Sequence, residues 1–218
     1  NLTSIDQSTD YPVVNYATYN PLINTQNIPT FAEGNLQAAT TGAGVNGGFS
    51  TTGMSSGKWY AEFKLSAHSG TNRCIIGVTS NPAEENRNNQ YLGQTAASYS
   101  YSAEIGRKYY NNTAASYGDS YTTNDIIGIA LDLDNLKIYF SKNGTWQNSG
   151  DPESGATGTG AAFTVTAPSS TTTGFYFFGE GDESGTHSVT VQANFGSPPY
   201  AISSGNADGN GYGNFEYA

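Results

Sequence analysis

The chain has few positive charges. Lys and Arg together number 8 among 218 residues, against 18 Asp and Glu, which gives a formal net charge of −10. The basic residues are also scattered along the chain rather than clustered. Because a phosphate backbone has to be neutralised by cationic side chains, we expect no nucleic acid partner. Insertion into or attraction to an anionic membrane surface is disfavoured for the same reason.

Cysteine and long apolar runs are scarce as well. Cys74 is the single cysteine, so no internal disulfide can form, and its neighbours Ile75 and Ile76 predict a buried apolar role for it. The longest apolar runs, 126–133 and 175–178, are much shorter than the roughly 18 residues of a membrane-spanning helix. No stretch shows a sustained helical period, so an all-helical fold is not expected.

What the chain does have is apolar and polar residues that alternate with a period of two, which indicates β-strands. In residues 58–65 this alternation places Trp59, Phe63 and Leu65 on one face, which predicts that the Trp59 ring lies in the core. Residues 125–146 read as a hairpin of two strands, and Asn143-Gly144 suits a type I′ turn.

The pattern as a whole predicts an all-β protein, an antiparallel two-sheet β-sandwich. We expect this single domain to cover residues 13–200. A polar N-terminal arm would precede it at residues 1–12, and a flexible tail rich in Gly and Asn would follow it at residues 201–218.

Five short motifs occur in an order that resembles a SPRY domain. They are Gly57-Lys58-Trp59-Tyr60-Ala61-Glu62, Ile76-Gly77-Val78, the segment 125–132, the segment 138–144 and Asn194-Phe195-Gly196. The resemblance implies a bent, concanavalin A-like jelly roll that binds a ligand with loops at one rim and needs no cofactor. Residues 15–22 and 213–217 also resemble SPRY-containing proteins of tailed bacteriophages and marine viruses.

The motif residues are expected to serve the scaffold rather than the ligand. Gly57 and Gly128 would permit close backbone approach or a bulge where a sheet bends, and Asn143-Gly144 would set the hairpin register. The complete set of predicted structural residues is Gly57, Trp59, Gly128, Asp132, Asn143, Gly144, Asn194, Phe195 and Gly196.

Acidic residues offer the strongest argument for an enzyme. Glu180-Gly181-Asp182 is similar to the Glu-x-Asp-x-Glu strand of glucanases with a concanavalin A-like fold, but Ser184 stands where the acid/base is needed. We therefore interpret residues 180–183 as a solvated acidic turn. Asp132, Asp134 and Asp182 could supply oxygen ligands for calcium. Asp132 and Asp134 stand beside a turn, however, where Asp more often bonds the local backbone. No catalytic residue and no metal site are predicted.

The positive signal for binding is aromatic and polar. Tyrosines recur between residues 91 and 121, interleaved with Ser, Asn, Gly and Ala, and Tyr gives a large contact area at low entropic cost. Alternatively, the strand tyrosines Tyr99, Tyr101 and Tyr109 stabilise cross-strand pairs. The predicted binding residues are the loop residues Tyr91, Tyr117, Tyr121, Asn111 and Asn112.

These features predict a non-enzymatic binding or structural module of a viral particle, located at the virion surface or otherwise outside the cell. Its partner would be a virion neighbour or a host-surface ligand that contacts loops rich in Tyr, Asn and Gly. Two alternatives remain open: a glycan-binding lectin, in which exposed tyrosines stack on sugars, and a glycoside hydrolase that uses Glu180 and Asp182.

Overall fold

The computed structural model describes residues 15–23, 27–87 and 89–218, so the predicted arm at residues 1–12 lies outside the described residues. In this part of the chain there are fourteen β-strands, a short helix α1 (Pro82–Arg87) and several 3₁₀ turns. The strands are β1 (Thr30–Ala32), β2 (Gln37–Ala39), β3 (Gly47–Phe49), β4 (Lys58–His68), β5 (Cys74–Thr79), β6 (Ser98–Ser102), β7 (Arg107–Tyr110), β8 (Thr113–Ser116), β9 (Ile126–Asp132), β10 (Lys137–Lys142), β11 (Thr145–Trp146), β12 (Phe163–Thr164), β13 (Phe177–Asp182) and β14 (Val189–Asn194).

The strands build a sandwich of two sheets. Within the described residues, the larger sheet has eight strands in the order β1-β2-β14-β4-β9-β10-β11, with β12 also pairing with β10. The smaller sheet has six strands in the order β3-β13-β5-β6-β7-β8. Strand pairing is antiparallel throughout both sheets. The predicted all-β sandwich is confirmed. Among the described residues, no helix is long and apolar enough to cross a membrane.

The core lies between the two sheets and is rich in aromatic rings. Phe63 of β4 and Phe178 of β13 are buried with ring centroids 6.4 Å apart, and Tyr101 of β6 lies 5.5 Å from Phe140 of β10. Cys74 is fully buried in the same cluster, as its neighbours predicted. Such rings bury large apolar areas, which compensates for the small number of aliphatic residues.

Trp59 is not in this core. Its side chain is 40% exposed, and the indole N–H donates to the carbonyl of Ser56 at 2.7 Å. The prediction from the alternation of β4 was therefore wrong at this residue, although Ala61, Phe63 and Leu65 farther along the strand are fully buried. The alternation of inward and outward side chains extends to the beginning of the strand. A side chain on the inward face is buried, however, only where another part of the protein covers it.

The hairpins formed as the turn chemistry predicted. Asp132 accepts hydrogen bonds from the backbone N–H groups of Asp134 and Asn135 at 3.1 and 2.9 Å, so it bonds the local backbone. Asn143 and Gly144 both have positive φ, 48° and 78°, as a type I′ turn requires. The Asn143 side chain accepts a hydrogen bond from the N–H of Ile126 at 2.9 Å and joins the two ends of the β9–β10 hairpin.

The two predicted special glycines act in different ways. Gly57 has φ of 81° and donates its N–H to Asp134 at 2.8 Å, so it turns the chain into β4. Gly128 leaves room for side chains: a Cβ there would lie 2.5 Å from the Ser141 hydroxyl oxygen and 2.8 Å from the Tyr60 hydroxyl oxygen. The register shift in β14 falls instead between Thr190 and Val191.

The predicted acidic turn at residues 180–183 is wrong. Strand β13 continues through Glu180 and Asp182, and both side chains are fully buried. Glu180 accepts a hydrogen bond from the N–H of Gly48 at 2.9 Å, and Asp182 accepts one from Gly185 at 2.7 Å. Burial raises the pKa of both carboxyls, because the charged form loses its hydration. Phe178, Glu180 and Asp182 are alternate residues of β13 and lie on its inward face. The interpretation as a turn overlooked that this alternation continues past Phe178.

The C-terminal segment, residues 201–218, packs against the larger sheet, whereas its composition predicted a flexible tail. Glu62 on the outer face of β4 is fully buried and accepts hydrogen bonds from the N–H groups of Glu216 and Tyr217 at 3.0 and 2.7 Å. The Phe215 ring is buried and meets Tyr60 edge-on, with centroids 5.2 Å apart. A hydrogen-bonded carboxylate thus anchors an irregular segment that is otherwise rich in Gly and Asn.

Removing the Glu62 charge should release the C-terminal segment. Glu62→Gln places an amide group where backbone N–H donors need acceptors, and we expect a loss of roughly 2 kcal/mol in the free energy of unfolding, since a buried unsatisfied donor costs about 1–3 kcal/mol. Chymotrypsin should then cleave after Tyr212 or Phe215 faster than in the unmodified protein. Glu33→Gln, at an exposed position, is the matched control. Equal cleavage rates in both variants would contradict the anchoring role.

Stability should depend on pH through Glu180. Its pKa in the folded state is raised above the ordinary 4.5, so the folded state keeps the proton while the unfolded state releases it above that pH. The contribution of protonated Glu180 to the free energy of unfolding is complete below pH 4.5. It is lost as pH rises, by up to about 1.4 kcal/mol per pH unit. Glu180→Gln should lose less stability than the unmodified protein between pH 5 and 8 in urea titrations, with Glu33→Gln as the control. Identical pH slopes would disprove this.

Candidate binding groove

A groove with a volume of about 1160 Å³ opens between the beginning of β4, the loop after β11 and the C-terminal segment. Its aromatic lining comes from several parts of the chain: Tyr16, Trp59, Tyr60, Trp146, Phe178, Phe195, Tyr212, Phe215 and Tyr217. Pockets of this size with convergent aromatic groups are the usual form of a binding site. The two tryptophans of the chain both belong to this lining.

Several of these rings present free surface to the groove. Trp59, Tyr212 and Tyr217 are 40%, 57% and 39% exposed, which is unusual for side chains of this size. Trp146 is packed edge-on against Tyr60 and Tyr139, with centroids 6.4 and 6.5 Å away. The groove therefore combines rings held by neighbours with rings that remain available for contact.

The buried carboxylate of Glu62 organises one wall. It accepts the hydroxyl of Tyr60 at 3.1 Å and the backbone N–H of Tyr217 at 2.7 Å, so two groove residues are oriented by the same group. Asn194 donates its amide to Glu62 at 3.2 Å and to the carbonyl of Asn214 at 2.8 Å. This network links β4, β14 and the C-terminal segment, and it defines the position of the wall.

The motif Asn194-Phe195-Gly196 connects the core with the groove. Phe195 meets the core ring of Phe63 edge-on at 5.8 Å, and Gly196 donates its N–H to the Asn194 side chain at 2.9 Å. Phe195 and Gly196 also line the groove. The structural role expected for these residues is consistent with their contacts, and it extends to supporting the groove.

The groove is acidic. Asp151, Glu153 and Asp208 line it, and the only lysine among the lining residues, Lys58, lies 3.6 Å from Asp132. The Asp208 side chain accepts the backbone N–H groups of Asn210 and Tyr212 at 2.9 and 2.8 Å, which shapes the turn that carries Tyr212. Among the described residues, no cluster of His, Cys, Asp and Glu has the form of a metal site.

Tyr117 and Tyr121, predicted as exposed binding residues, are core residues. Tyr117 is 8% and Tyr121 2% exposed, and the Tyr121 hydroxyl donates to the carbonyls of Tyr101 and Cys74 at 2.9 and 3.2 Å. Burial raises the pKa of Tyr117 to about 12 and raises that of Tyr121 as well. The expectation of exposure was wrong because the loop between β8 and β9 packs its tyrosines inward, which Tyr tolerates when its hydroxyl finds a partner.

Of the other predicted binding residues, Tyr91 and Asn112 are in contact, and Tyr91, Asn111 and Asn112 all lie outside the groove lining. The Tyr91 hydroxyl donates to the Asn112 side chain at 3.2 Å, and its ring meets Tyr109 edge-on at 5.8 Å. Asn111 and Asn112 have φ of 49° and 57° and form the turn between β7 and β8. Their geometry explains why Asn stands at both positions, and a binding role for the three remains a prediction.

The alternative role for strand tyrosines is visible in the smaller sheet. Tyr99 of β6 lies opposite Tyr110 of β7 in the register, and their rings stack with centroids 4.6 Å apart at 5°. The Tyr99 hydroxyl also accepts a hydrogen bond from the N–H of Thr166 at 3.1 Å. Tyr101, the next inward residue of β6, is fully buried. These tyrosines hold strands and loops together.

Sequence reasoning missed Trp146, Tyr212 and Tyr217 as groove residues. A usable signal was present, since Tyr212, Phe215 and Tyr217 are large rings in a segment otherwise composed of Gly, Asn and other small residues. Large apolar rings in such a segment indicate that it docks against something. Alternation of apolar and polar residues predicts strands, but a segment without regular secondary structure shows no such pattern, so its position could not be predicted.

One family model matches more than half of the chain. The family model described as "SPRY domain" matches residues 58–180. The ATP-dependent RNA helicase DDX1 of Xenopus laevis is 33% identical over 95 residues, which is 44% of this chain and 12% of that protein. The chain therefore spans only a small part of the length of this curated relative.

Two determined structures share the fold. The SPRY domain of human HERC1 superposes with a TM-score of 0.58 at 19% identity, over 80% of this chain and 96% of that domain. The structure of stonustoxin superposes with a TM-score of 0.57 at 18% identity, over 82% of this chain and 27% of that one.

A matched pair of tyrosine substitutions should separate core from groove. Tyr121→Ala removes a fully packed ring and should lower the free energy of unfolding by about 3–5 kcal/mol. Tyr212→Ala removes a largely exposed ring and should stay within about 1 kcal/mol, as is usual for surface positions. Urea denaturation of both variants checks this, and similar losses for the two would contradict the assignment of Tyr121 to the core.

Proposed function

Because the chain belongs to the SPRY domain family, whose members mediate protein–protein interaction, we propose that it binds a segment of another protein in the aromatic groove. The observation that supports this is the set of exposed rings, Trp59, Tyr212 and Tyr217, gathered on one concave surface. Aromatic residues are enriched where protein interfaces carry most of their binding energy. A folded, sheet-backed wall also lowers the entropic cost of binding.

We propose a non-catalytic role, as is general for SPRY domains. The hydrolase alternative required Glu180 and Asp182 to reach a polysaccharide, and both are fully buried in β13. A substrate could contact these carboxylates only after the sandwich had opened, so the geometry argues against that chemistry.

We further propose that the module belongs to a viral particle, at the virion surface or otherwise outside the cell. This proposal is supported by the resemblance of residues 15–22 and 213–217 to phage and marine-virus SPRY proteins. The scarcity of Lys and the abundance of Asn, Thr and Gly suit an exposed particle surface. The partner would then be a virion neighbour or a receptor on the host surface.

A glycan ligand is the second candidate function. Trp59 and Tyr212 are partly exposed and line the same groove as Asp151 and Asp208. Sugar rings can stack on aromatic faces while their hydroxyls donate to carboxylates. Tyr117 and Tyr121, two of the predicted binding residues, are buried and cannot stack on a sugar. A glycan ligand would therefore also have to bind in the groove.

A binding screen with groove variants tests the proposal. The chain is presented to purified virion proteins, host-surface proteins and a glycan array, as the unmodified protein, as Trp59→Ala with Tyr212→Ala, and as Tyr91→Ala. We expect a protein ligand whose affinity falls at least about tenfold in the groove variant, because hot-spot aromatic residues contribute about 2 kcal/mol or more. Tyr91→Ala tests the competing prediction for Tyr91, which lies outside the groove. If the groove carries the binding, this variant binds the ligand as tightly as the unmodified protein.

Two results would contradict the proposal. A protein ligand that binds the groove variant and the unmodified chain equally would place the site elsewhere. Glycan signals that disappear in the groove variant, together with no protein ligand, would assign the groove to the second candidate function.

A further inference from the structure

We propose that the segment bound in the groove is cationic and places Arg or Lys side chains among the aromatic rings and carboxylates of the lining. This inference rests on the proposed function and specifies the chemistry of the partner. It is carried by the charges that face the groove, by the exposed rings beside them, and by contacts of the same kind elsewhere in the molecule.

The groove presents negative charge that the protein leaves uncompensated. Asp151 and Glu153 are exposed on the loop after β11, and Asp208 of the C-terminal segment lines the same groove. In the described part of the chain, the ion pairs involve other carboxylates, and none of these three is paired with a cation within 4 Å. The side chains of Asp151 and Asp208 accept hydrogen bonds from backbone N–H groups of their own turns.

The positive charge at the groove does not cancel this field. Lys58 is the lysine of the lining, and its ammonium group lies 3.6 Å from the carboxylate of Asp132. The chain as a whole carries a formal charge of −10. Long-range attraction therefore favours a cationic partner and opposes an anionic one.

The rings beside the carboxylates suit cations in particular. Guanidinium and ammonium groups are attracted to the faces of Trp and Tyr, and Arg can stack on a ring while it donates to a carboxylate. Trp59 is 40% and Tyr212 57% exposed, so both have surface to offer. A neutral apolar segment would use the rings but would desolvate the three carboxylates without compensation.

The molecule already makes such contacts internally. The Lys108 ammonium group lies 4.9 Å from the centre of the Phe163 ring, and the Lys64 ammonium group lies 5.4 Å from the centre of the Tyr200 ring. In the groove, Trp59 and Tyr212 share the lining with three carboxylates that form no ion pair in the described part of the chain. The lysine of the lining, Lys58, is paired with Asp132 instead. A partner that supplies Arg or Lys would complete the arrangement.

Tryptophan fluorescence provides a direct test, since both tryptophans of the chain, Trp59 and Trp146, line the groove. The full chain is titrated with blocked six-residue peptides of alternating Gly and Arg, Gly and Glu, or Gly and Ser. We expect a saturable change with the Arg peptide alone. Its affinity should fall as NaCl rises from about 50 to about 300 mM, because exposed charges are screened.

Charge variants at matched positions make the test specific. Glu153→Gln removes a groove carboxylate on an exposed side chain and should weaken binding of the Arg peptide by about two- to fivefold, the range of an exposed ion pair. Glu33→Gln removes the same charge away from the groove and should leave the affinity unchanged. Circular dichroism confirms that both variants are folded.

The inference is overturned if the Arg peptide gives no saturable change at millimolar concentration, or if Glu153→Gln and Glu33→Gln bind it equally. It is also overturned if the Gly-Ser or Gly-Glu peptide binds as tightly. These outcomes leave the proposed protein-binding function standing, because that function is tested separately by the loss of a protein ligand in the variant with Trp59→Ala and Tyr212→Ala.

Discussion

The groove depends on the hydrogen bonds between the buried carboxylate of Glu62 and the C-terminal segment. A charge on the outer face of a sheet would ordinarily remain hydrated, but here the C-terminal segment covers it and supplies backbone N–H groups at 2.7 and 3.0 Å. Burying a charge is tolerable only when hydrogen bonds replace its lost hydration, so the carboxylate and the segment stabilise each other. The same carboxylate orients Tyr60 and Tyr217. Glu62 therefore both holds the C-terminal segment on the larger sheet and positions the wall of the groove.

The protein treats its acidic residues in three distinct ways. Glu62 is surrounded by donors, whereas Glu180 has the N–H of Gly48 and a pKa raised by burial, which favours its neutral form. Asp151, Glu153 and Asp208 face the groove without a cation. Glu62 holds the C-terminal segment, Glu180 is expected to make stability depend on pH, and the third set gives the groove its negative charge. The same side-chain chemistry therefore has separate consequences that depend on the surroundings of each carboxyl group.

Prediction from the sequence succeeded where the signal was local. The alternation in β4 and β10, the type I′ turn at Asn143-Gly144 and the backbone bonding of Asp132 all follow from residues within a few positions of one another. It failed where a distant segment decided the outcome. Trp59 stays 40% exposed at the beginning of β4, Tyr121 turns inward to carbonyls of β5 and β6, and Asp182 lies in a strand between β3 and β5 rather than in a turn.

The sequence by itself determined the pleated strands, their principal turns and a negatively charged surface, because side-chain direction and turn geometry are properties of neighbouring residues. The tertiary structure alone decided which tyrosines are buried, that residues 201–218 dock onto Glu62, and that Trp59, Trp146 and Tyr212 share one groove. Those outcomes depend on contacts between residues far apart in the chain. The rings gain free energy when apolar area leaves water, and the Glu62 carboxylate is stabilised when hydrogen bonds replace its lost hydration. Both effects require partners that are distant in sequence, which no local pattern encodes.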